Sequence, residues 1–334
     1  MTDTDHRTSR SVRRWAGVVA ANVVGVVVLL LVLEGAVRVT RPDIGPAGSD
    51  RALFLDSAFV DAEGRTTGLR PGAVGQANGV TVRVDAGGFH EYAGNSGVAD
   101  SALVWLWLGD SVTFGVGVTP DSTVAGRLAA RQDTAFVRNP SVLGWGTADY
   151  RRRLEGALES GLRPARVTLV WCLNDADPSR PSAAGEVHVL ESARRDVITW
   201  LNVHSRLYRW AKDVALDRPA RYYEHDRQLY LGNGLDDALT DLEAVARVLE
   251  DAAVPLEVVV VPYEPQLRER GDRTPQAMLL LELRFLEVPV LDLLDSFLEA
   301  GEPESLYLWS DGIHLSARGH AVAAEAISAW HASR

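Results

Sequence analysis

The sequence predicts an α/β protein in which helices cover both faces of a central parallel sheet, a three-layer α/β/α fold, preceded by one N-terminal transmembrane helix. Three observations support this prediction. Short apolar runs of strand length alternate with helical patterns between about residues 102 and 331, an alternation typical of parallel sheets. The runs are predominantly apolar, as expected of strands that are buried on both faces. A longer apolar stretch lies near the N-terminus.

The N-terminal stretch, Trp15–Leu33, contains 19 residues without a charge. As a helix it would nearly span the hydrocarbon core of a bilayer. Arginines at positions 7, 10, 13 and 14 precede it, so the positive-inside rule places residues 1–14 in the cytoplasm. The alternative is a cleaved signal peptide, but the apolar region of such a peptide is usually shorter, and no clear small-residue cleavage site follows. We therefore predict an uncleaved, single-pass signal anchor over residues 15–37, with the chain after about residue 40 outside the cytoplasm.

Residues 38–100 are predicted to form a stalk and a short strand ahead of the domain. From Arg41 to about Gly79 the chain is rich in Gly, Pro, Ala and Asp with little periodicity, which is typical of a connecting segment. Val80–Val84 alternates well enough to predict a strand, and the turn-forming residues 85–88 follow it.

Residues 101–334 are predicted to form the three-layer domain. The predicted sheet strands are Ala102–Leu108, Ala135–Val137, Arg166–Cys172, Leu256–Val261 and Val288–Leu291. The predicted helices are Ser122–Arg131, Thr147–Ser160, Leu235–Ala252, Pro275–Phe285 and Ala317–His331. Residues 192–216 predict one or two further helices inserted between the third and fourth of these strands, and the pattern leaves open whether they form a lid.

Charge and cysteine content exclude several classes of function. The formal net charge is −11, and because the first 41 residues hold six arginines against three acidic residues, the rest of the chain carries −14. Such an acidic domain is unsuited to non-specific nucleic-acid binding. Cys172 is the single cysteine, which excludes an intrachain disulfide and a cysteine-based metal site. We see no metal-ligand cluster in the sequence and expect no cofactor.

Two motifs carry residue types that are used in nucleophilic catalysis. Gly109-Asp110-Ser111 directly follows the first predicted sheet strand, where a serine on a tight turn can expose its hydroxyl above the sheet. Asp311 and His314 lie three residues apart just before the last helix, so the carboxylate can orient one imidazole nitrogen while the other faces a nucleophile. The alternatives are an ordinary helix-capping turn for the first motif and an aspartate N-cap for the second.

Two further segments follow predicted strands and can converge on the same sheet edge. One contains Gly144 and Gly146, and the other contains Asn174 and Asp175. A glycine N–H group and an asparagine amide are neutral donors suited to a developing oxyanion. Taken alone, these residues are equally typical of ordinary turns.

Together the four segments resemble the blocks of the SGNH (GDSL-type) hydrolase family, in the family's order, from about Ala102 to Trp330. The resemblance implies a nucleophile at Ser111, a base at His314 and its orienting acid at Asp311. It also implies an oxyanion hole formed by Ser111, Gly144 and Asn174, with Gly146 as an alternative to Gly144. The sequence departs from the family in one place: where the family usually has a glycine two residues before the asparagine, this chain has Cys172.

The resemblance extends to membrane-anchored bacterial members of the family, which often carry an acidic residue and an arginine at the end of the anchor. Glu34 and Arg38 match that feature here. The resemblance to these members implies a serine esterase that acts on O-acyl esters, for example acetyl esters, of cell-envelope polysaccharide or glycolipid. The alternatives are an O-acyltransferase that uses the same triad and a catalytically silent envelope scaffold.

Overall fold

The computed structural model describes residues 3–45, 68–96, 98, 103–131, 135–177, 192–269 and 271–334. The chain forms two compact units: Met1–Ile44 with Glu191–Ala215, and Gly45–Leu190 with Leu216–Arg334. Most of the predicted stalk, residues 46–67, lies outside the described residues, as do residues 101 and 102 at the predicted start of the domain.

The strands are β1 (Val74–Ala77), β2 (Val80–Arg83), β3 (Leu103–Leu108), β4 (Ala135–Arg138), β5 (Pro164–Cys172), β6 (Leu256–Val261) and β7 (Val290–Asp292). The helices are α1 (Asp3–Thr40), α2 (Ser111–Phe114), α3 (Val124–Ala129), α4 (Thr147–Glu159), α5 (Ser192–His204), α6 (Arg206–Leu216), α7 (Arg218–Leu231), α8 (Gly234–Asp251), α9 (Glu264–Leu267), α10 (Thr274–Leu283), α11 (Leu294–Ala300), α12 (Pro303–Leu306) and α13 (Ala317–Ala332).

The larger unit is built on a five-stranded sheet in the order β4-β3-β5-β6-β7, in which every pair is parallel. This confirms the predicted fold class, and all five predicted sheet strands are present. The strand order reverses between β3 and β5, since the chain moves from β3 outward to β4 and then returns to add β5 on the other side. Open α/β sheets bind ligands outside the carboxyl ends of the strands at such a reversal.

The apolar runs form the core of this unit. All six residues of β6 are buried, as are the last four of β3. Trp105, Trp107 and Trp171 on the two central strands are at most 1% exposed. A fully buried aromatic side chain contributes several kcal/mol through the apolar area that it removes from water. The positions of β3 and β5, and of the loops that follow them, are therefore tightly determined.

A small antiparallel hairpin precedes the sheet, formed by β1 and β2. Its two-residue turn is Asn78-Gly79, and both residues have positive φ, 47° and 79°. Positive φ at both central positions is what a type I′ turn requires, and Asn-Gly is its strongest sequence signal. The sequence prediction included β2 but not β1, because β1 is short and lies in a Gly- and Ala-rich segment. Helix α7 was also not predicted.

The smaller unit consists of α1, α5 and nearly all of α6. Within α1, Trp15–Thr40 is long and apolar enough to cross a membrane, by length and composition. The helix begins at Asp3 and so extends beyond the predicted span at both ends. The valine and leucine side chains between positions 18 and 33 are exposed, as the lipid-facing side chains of a single membrane helix would be. The predicted insertion is two helices that meet at Ser205.

Candidate active site

Ser111 is placed by a short turn between β3 and α2. Gly109 is required in this turn because a Cβ atom there would lie 2.0 Å from Thr113 Oγ1. Asp110 caps α2, since its Oδ1 accepts a hydrogen bond from the Val112 N–H at 2.8 Å. Ser111 is the first residue of α2, so its backbone N–H has no acceptor within that helix. The serine therefore lies at the carboxyl end of β3, where the strand order reverses.

Asp311 and His314 lie in the loop between α12 and α13. Asp311 Oδ1 accepts hydrogen bonds from the backbone N–H groups of Ile313 and His314, at 3.1 and 2.7 Å. Gly312, with a φ of 75°, allows the tight turn between them. The N-cap of α13 is Ser316, so Asp311 does not cap that helix. Its carboxylate instead organises the loop that carries His314.

The structure brings Ser111, His314 and Asp311 into one hydrogen-bonded chain. His314 Nε2 lies 2.9 Å from Ser111 Oγ, and His314 Nδ1 lies 2.9 Å from Asp311 Oδ1. The serine is 9% exposed and the histidine side chain is 22% exposed. Ser111 is thus almost completely buried, whereas His314 is partly exposed. This arrangement can transfer a proton from a serine to an imidazole whose other nitrogen is held by a carboxylate.

The surroundings of Asp311 keep its carboxyl group ionised. Burial alone raises the pKa of Asp311. The nearby His314 and the hydrogen bonds from His314 and Ile313 lower this pKa by more than burial raises it. The net pKa lies below the ordinary value of 3.8. Asp311 is therefore a carboxylate at neutral pH and can stabilise positive charge on the adjacent imidazole.

Asn174 is held against the turn that carries Ser111. Its side-chain Nδ2 donates a hydrogen bond to Asp110 Oδ2 at 2.8 Å, and the same oxygen lies 3.1 Å from Ser111 Oγ. Asn174 is 2% exposed. Asp110 thus connects the segments that follow β3 and β5, a link that the sequence motifs did not reveal.

The segment that carries Asn174 is fixed by Asp175. The Asp175 carboxylate accepts hydrogen bonds from the Cys172 backbone N–H at 2.8 Å and from the Tyr150 hydroxyl at 2.6 Å. Cys172, the departure from the family pattern, is fully buried at the end of β5. The asparagine therefore sits on a rigid turn that is attached to both β5 and α4.

The two candidate oxyanion glycines differ in how their N–H groups are used. The Gly146 N–H donates to Asp149 Oδ2 at 3.0 Å as part of the start of α4. Within the described part of the chain, no acceptor is found for the Gly144 N–H. Gly144 has a φ of 79°, a conformation that glycine adopts without strain. The segment is tied to α2 because Asn139 Nδ2 donates to the Thr113 carbonyl at 2.9 Å.

A second set of contacts supports the His314 loop from β6. The backbone N–H of Glu264 donates to the Gly312 carbonyl at 2.9 Å, and the buried Glu264 carboxylate pairs with Arg268. Tyr263 is fully buried and its hydroxyl lies 2.6 Å from Asp226 Oδ2. No sequence pattern identified this support, because it depends on which strand end faces the loop.

Among the residues that the structure describes, no group of three or more His, Cys, Asp or Glu side chains is arranged to hold a metal ion. The site can be described entirely by its serine, histidine, carboxylate and amide groups.

Comparison with protein families gives a match to the GDSL-like Lipase/Acylhydrolase family over residues 107–322. The matched region is more than half of the chain and includes every candidate site residue. The chain belongs to this family. It is therefore a hydrolase of ester bonds, and the activity expected from the sequence is confirmed at that level.

Solved structures similar to this GDSL-like hydrolase include Axe2, an acetylxylan esterase from Geobacillus stearothermophilus, at 14% identity and a TM-score of 0.42, covering 69% of this chain and 94% of that one. The psychrotrophic esterase EstA from Pseudoalteromonas sp. is similar at 13% identity and a TM-score of 0.39, covering 68% and 94%. A protein of the G-D-S-L family from Desulfitobacterium hafniense is similar at 14% identity and a TM-score of 0.43, covering 68% and 98%. No match was found among curated proteins.

Proposed function

We propose that this GDSL-like hydrolase is a membrane-anchored serine esterase that removes O-acyl groups from carbohydrate or lipid of the cell envelope. The observation that carries the proposal is the continuous chain from Ser111 Oγ through His314 to the Asp311 carboxylate, with both distances at 2.9 Å. A serine hydroxyl is a weak nucleophile unless an adjacent base removes its proton. The three groups supply the nucleophile, the base and the group that orients the base.

In the first half of the reaction, Ser111 Oγ attacks the ester carbonyl carbon while its proton passes to His314 Nε2. The carbonyl π electrons move to the oxygen, which becomes the oxyanion of a tetrahedral intermediate. Asp311 holds the proton on His314 Nδ1 and stabilises the imidazolium that forms. When the intermediate collapses, His314 returns the proton to the leaving alcohol, and an acyl-serine remains.

Three donors are proposed for the oxyanion: the backbone N–H groups of Ser111 and Gly144 and the side-chain amide of Asn174. An asparagine amide has two N–H bonds. Asp110 holds one of them at 2.8 Å, which leaves the second available and fixes the plane of the amide. Donors that are positioned before the reaction each lower the barrier by about 3 kcal/mol.

In the second half, a water molecule attacks the acyl-serine and His314 takes its proton. The tetrahedral intermediate collapses, Ser111 Oγ leaves and receives that proton, and the carboxylic acid is released. Replacement of the water by a sugar hydroxyl would make the same site an acyltransferase. The test of this proposal must therefore determine whether water or a sugar hydroxyl accepts the acyl group.

The proposed substrate and location rest on α1. A helix of this length and composition supports anchoring in a membrane, and the four arginines ahead of Trp15 favour a cytoplasmic N-terminus. The larger unit, which holds Ser111, Asp311 and His314, would then lie outside the cytoplasm. Acyl esters on envelope polysaccharides and glycolipids are the substrates within reach of an enzyme in that position.

The test is hydrolysis of p-nitrophenyl esters of increasing chain length by the full chain in detergent, beside Ser111→Ala. We expect Ser111→Ala to lower the rate of hydrolysis by about 1,000-fold or more, while the free energy of unfolding stays unchanged. Ser160→Ala, at an exposed serine that follows α4, is the matched control and should retain full activity. Equal activity in the wild type and Ser111→Ala would overturn the proposed nucleophile. Acyl release that requires a sugar acceptor would identify a transferase.

A further inference from the structure

Glu34, an acidic residue within the apolar helix α1, caps the start of α6. Its Oε1 accepts hydrogen bonds from the Arg206 N–H at 3.0 Å and from Arg38 Nε at 2.7 Å. Its Oε2 accepts hydrogen bonds from the Leu207 N–H at 3.0 Å and from Ser205 Oγ at 2.8 Å. The first N–H groups of a helix have no intrahelical acceptor. The Glu34 carboxylate of α1 therefore supplies hydrogen-bond acceptors for the first N–H groups of α6.

Arg38 binds the other side of the same corner. Its Nη2 donates to the carbonyl of His204 at 2.8 Å, and His204 is the last residue of α5. The Arg206 side chain in turn reaches the Arg38 carbonyl at 3.4 Å. Glu34 and Arg38 thus hold both the end of α5 and the start of α6, and we call this set of contacts the corner clamp.

The corner clamp lies at the depth where a membrane would end. From Trp15 to Glu34 a helix rises roughly 28 Å, close to the ~30 Å thickness of a bilayer's hydrocarbon core. If Trp15 is placed at one boundary, Glu34 would lie near the other, where its charge and its partners would no longer be surrounded by lipid chains. In that placement, α5 and α6 would be attached to α1 at the level of the lipid headgroups.

One face of α5 exposes apolar side chains close to this corner. Val197 and Trp200 are each 59% exposed and Val203 is 37% exposed. Their spacing of three residues places them along one side of the helix. The Trp200 ring packs on His204 at 5.1 Å between centroids, which links the apolar face to the corner clamp. Tryptophan is enriched at membrane interfaces because its ring is apolar and its N–H is polar.

We propose that the apolar face of α5, formed by Val197, Trp200 and Val203, inserts into the headgroup region of the same bilayer that α1 crosses. The corner clamp holds it there. The proposal rests on the membrane anchoring of α1 described above. Lipid is the occupant because the clamp fixes α5 to the membrane helix at the depth of the interface.

The chain is suited to a labelling test because its one cysteine, Cys172, is fully buried. Trp200→Cys in a Cys172→Ala background is labelled with the environment-sensitive fluorophore NBD. The full chain is then reconstituted into vesicles of phosphatidylcholine and phosphatidylglycerol. We expect a blue shift of at least 10 nm relative to the label in water, protection from iodide, and quenching by nitroxides attached near the headgroup. The same label at Arg247→Cys, an exposed position on α8, serves as the control and should remain accessible to iodide.

Extraction of the vesicles with alkaline carbonate separates the two proposals. Release of the protein would overturn the anchoring of α1 itself. Retention of the protein with an iodide-accessible label at position 200 would overturn only the insertion of α5. Protection from iodide without quenching by lipid nitroxides would show that protein, such as a second copy, covers this face, and would overturn lipid as the occupant.

Replacement of Glu34 tests the corner clamp. In Glu34→Ala, the protein should remain resistant to carbonate, while nitroxide quenching of the label at position 200 should fall at least threefold. Glu34→Gln retains one acceptor oxygen and should give an intermediate value. Unchanged quenching in Glu34→Ala would overturn the role of the clamp.

Discussion

Asp110 Oδ2 accepts a hydrogen bond from Asn174 Nδ2 at 2.8 Å, across the boundary between β3 and β5. The two residues lie 64 positions apart in the chain. Because Asp110 is also the N-cap of α2, a single carboxylate places both the nucleophile's helix and a proposed oxyanion donor. Both roles can be tested by mutation.

Asp110→Asn is expected to lower kcat by about 10- to 100-fold with a modest loss of stability. An asparagine has one acceptor oxygen, so it cannot accept from both Val112 and Asn174, and one of these hydrogen bonds is replaced by two facing donors. The cost in unfolding free energy should be about 1–2 kcal/mol. The measurements are ester hydrolysis and chemical denaturation of the same preparations. Full activity in Asp110→Asn would show that the position of the Asn174 amide does not depend on this carboxylate.

Asn174→Ala is expected to reduce kcat by about 100-fold or more with little change in KM. An oxyanion donor acts mainly in the transition state, and removal of one typically costs about 3 kcal/mol. Asn233→Ala is a suitable control, since Asn233 is exposed at the start of α8 and makes no side-chain capping bond. A rise in KM at constant kcat would instead place Asn174 in ground-state substrate binding.

Gly109→Ala is expected to destabilise the larger unit and to abolish activity. The added Cβ would lie 2.0 Å from Thr113 Oγ1 and 2.7 Å from Thr113 Cβ, so the turn must move, at a cost of about 1–3 kcal/mol. Gly156→Ala is the matched control, because Gly156 lies within α4 and no atom lies within 4 Å of its added Cβ. That variant should gain about 0.5–1 kcal/mol. Similar stability of the two variants would contradict the packing around Gly109.

Acid should destabilise the larger unit through two buried histidines. Burial lowers the pKa of His90 to about 4 and that of His320 to about 3, against an ordinary value of 6.5. At a pH between the folded-state pKa and 6.5, the unfolded chain binds a proton at each of these histidines and the folded chain does not. The free energy of unfolding is therefore highest above pH 6.5 and decreases as the pH falls. Near pH 5 each histidine should contribute a slope of about 1 kcal/mol per pH unit.

The measurement is the free energy of unfolding between pH 4.5 and 7.5 for the wild type, His90→Gln and His320→Gln. Each substitution should reduce the slope by about 1 kcal/mol per pH unit, which corresponds to about one proton. His225→Gln, at an exposed histidine on α7, should leave the slope unchanged. Slopes that are equal in all four proteins would show that neither buried histidine is responsible for acid sensitivity.

Much of the fold could be predicted from local patterns. Predominantly apolar runs predicted all five strands of the sheet, because a strand that is buried on both faces is apolar at most of its positions. The hairpin strand β1 and helix α7 were not predicted. The first is only four residues long, although Asn78-Gly79 is a strong turn signal, and the second is rich in polar and aromatic side chains that obscure its period.

The candidate site was predicted less completely, for a physical reason. Residue type and neighbouring strands identified Ser111, Asp311 and His314 as candidates. No local pattern shows that Asp110 accepts a hydrogen bond from Asn174, or that the Gly146 N–H is used by Asp149 while that of Gly144 is not. Such contacts depend on the angles at which separate loops leave the sheet.

The sequence by itself determined the fold class, the apolar N-terminal helix and the residue types available for chemistry, because hydrophobic periodicity and motif spacing are local properties of the chain. Tertiary structure decided which of those residues meet. Ser111 and His314 are 203 positions apart, and their 2.9 Å contact exists because β3 and the loop before α13 are packed at the same edge of the sheet. In the same way, Glu34 has a neighbour in Arg38 by helical spacing, but only the folded unit brings the start of α6 to its carboxylate.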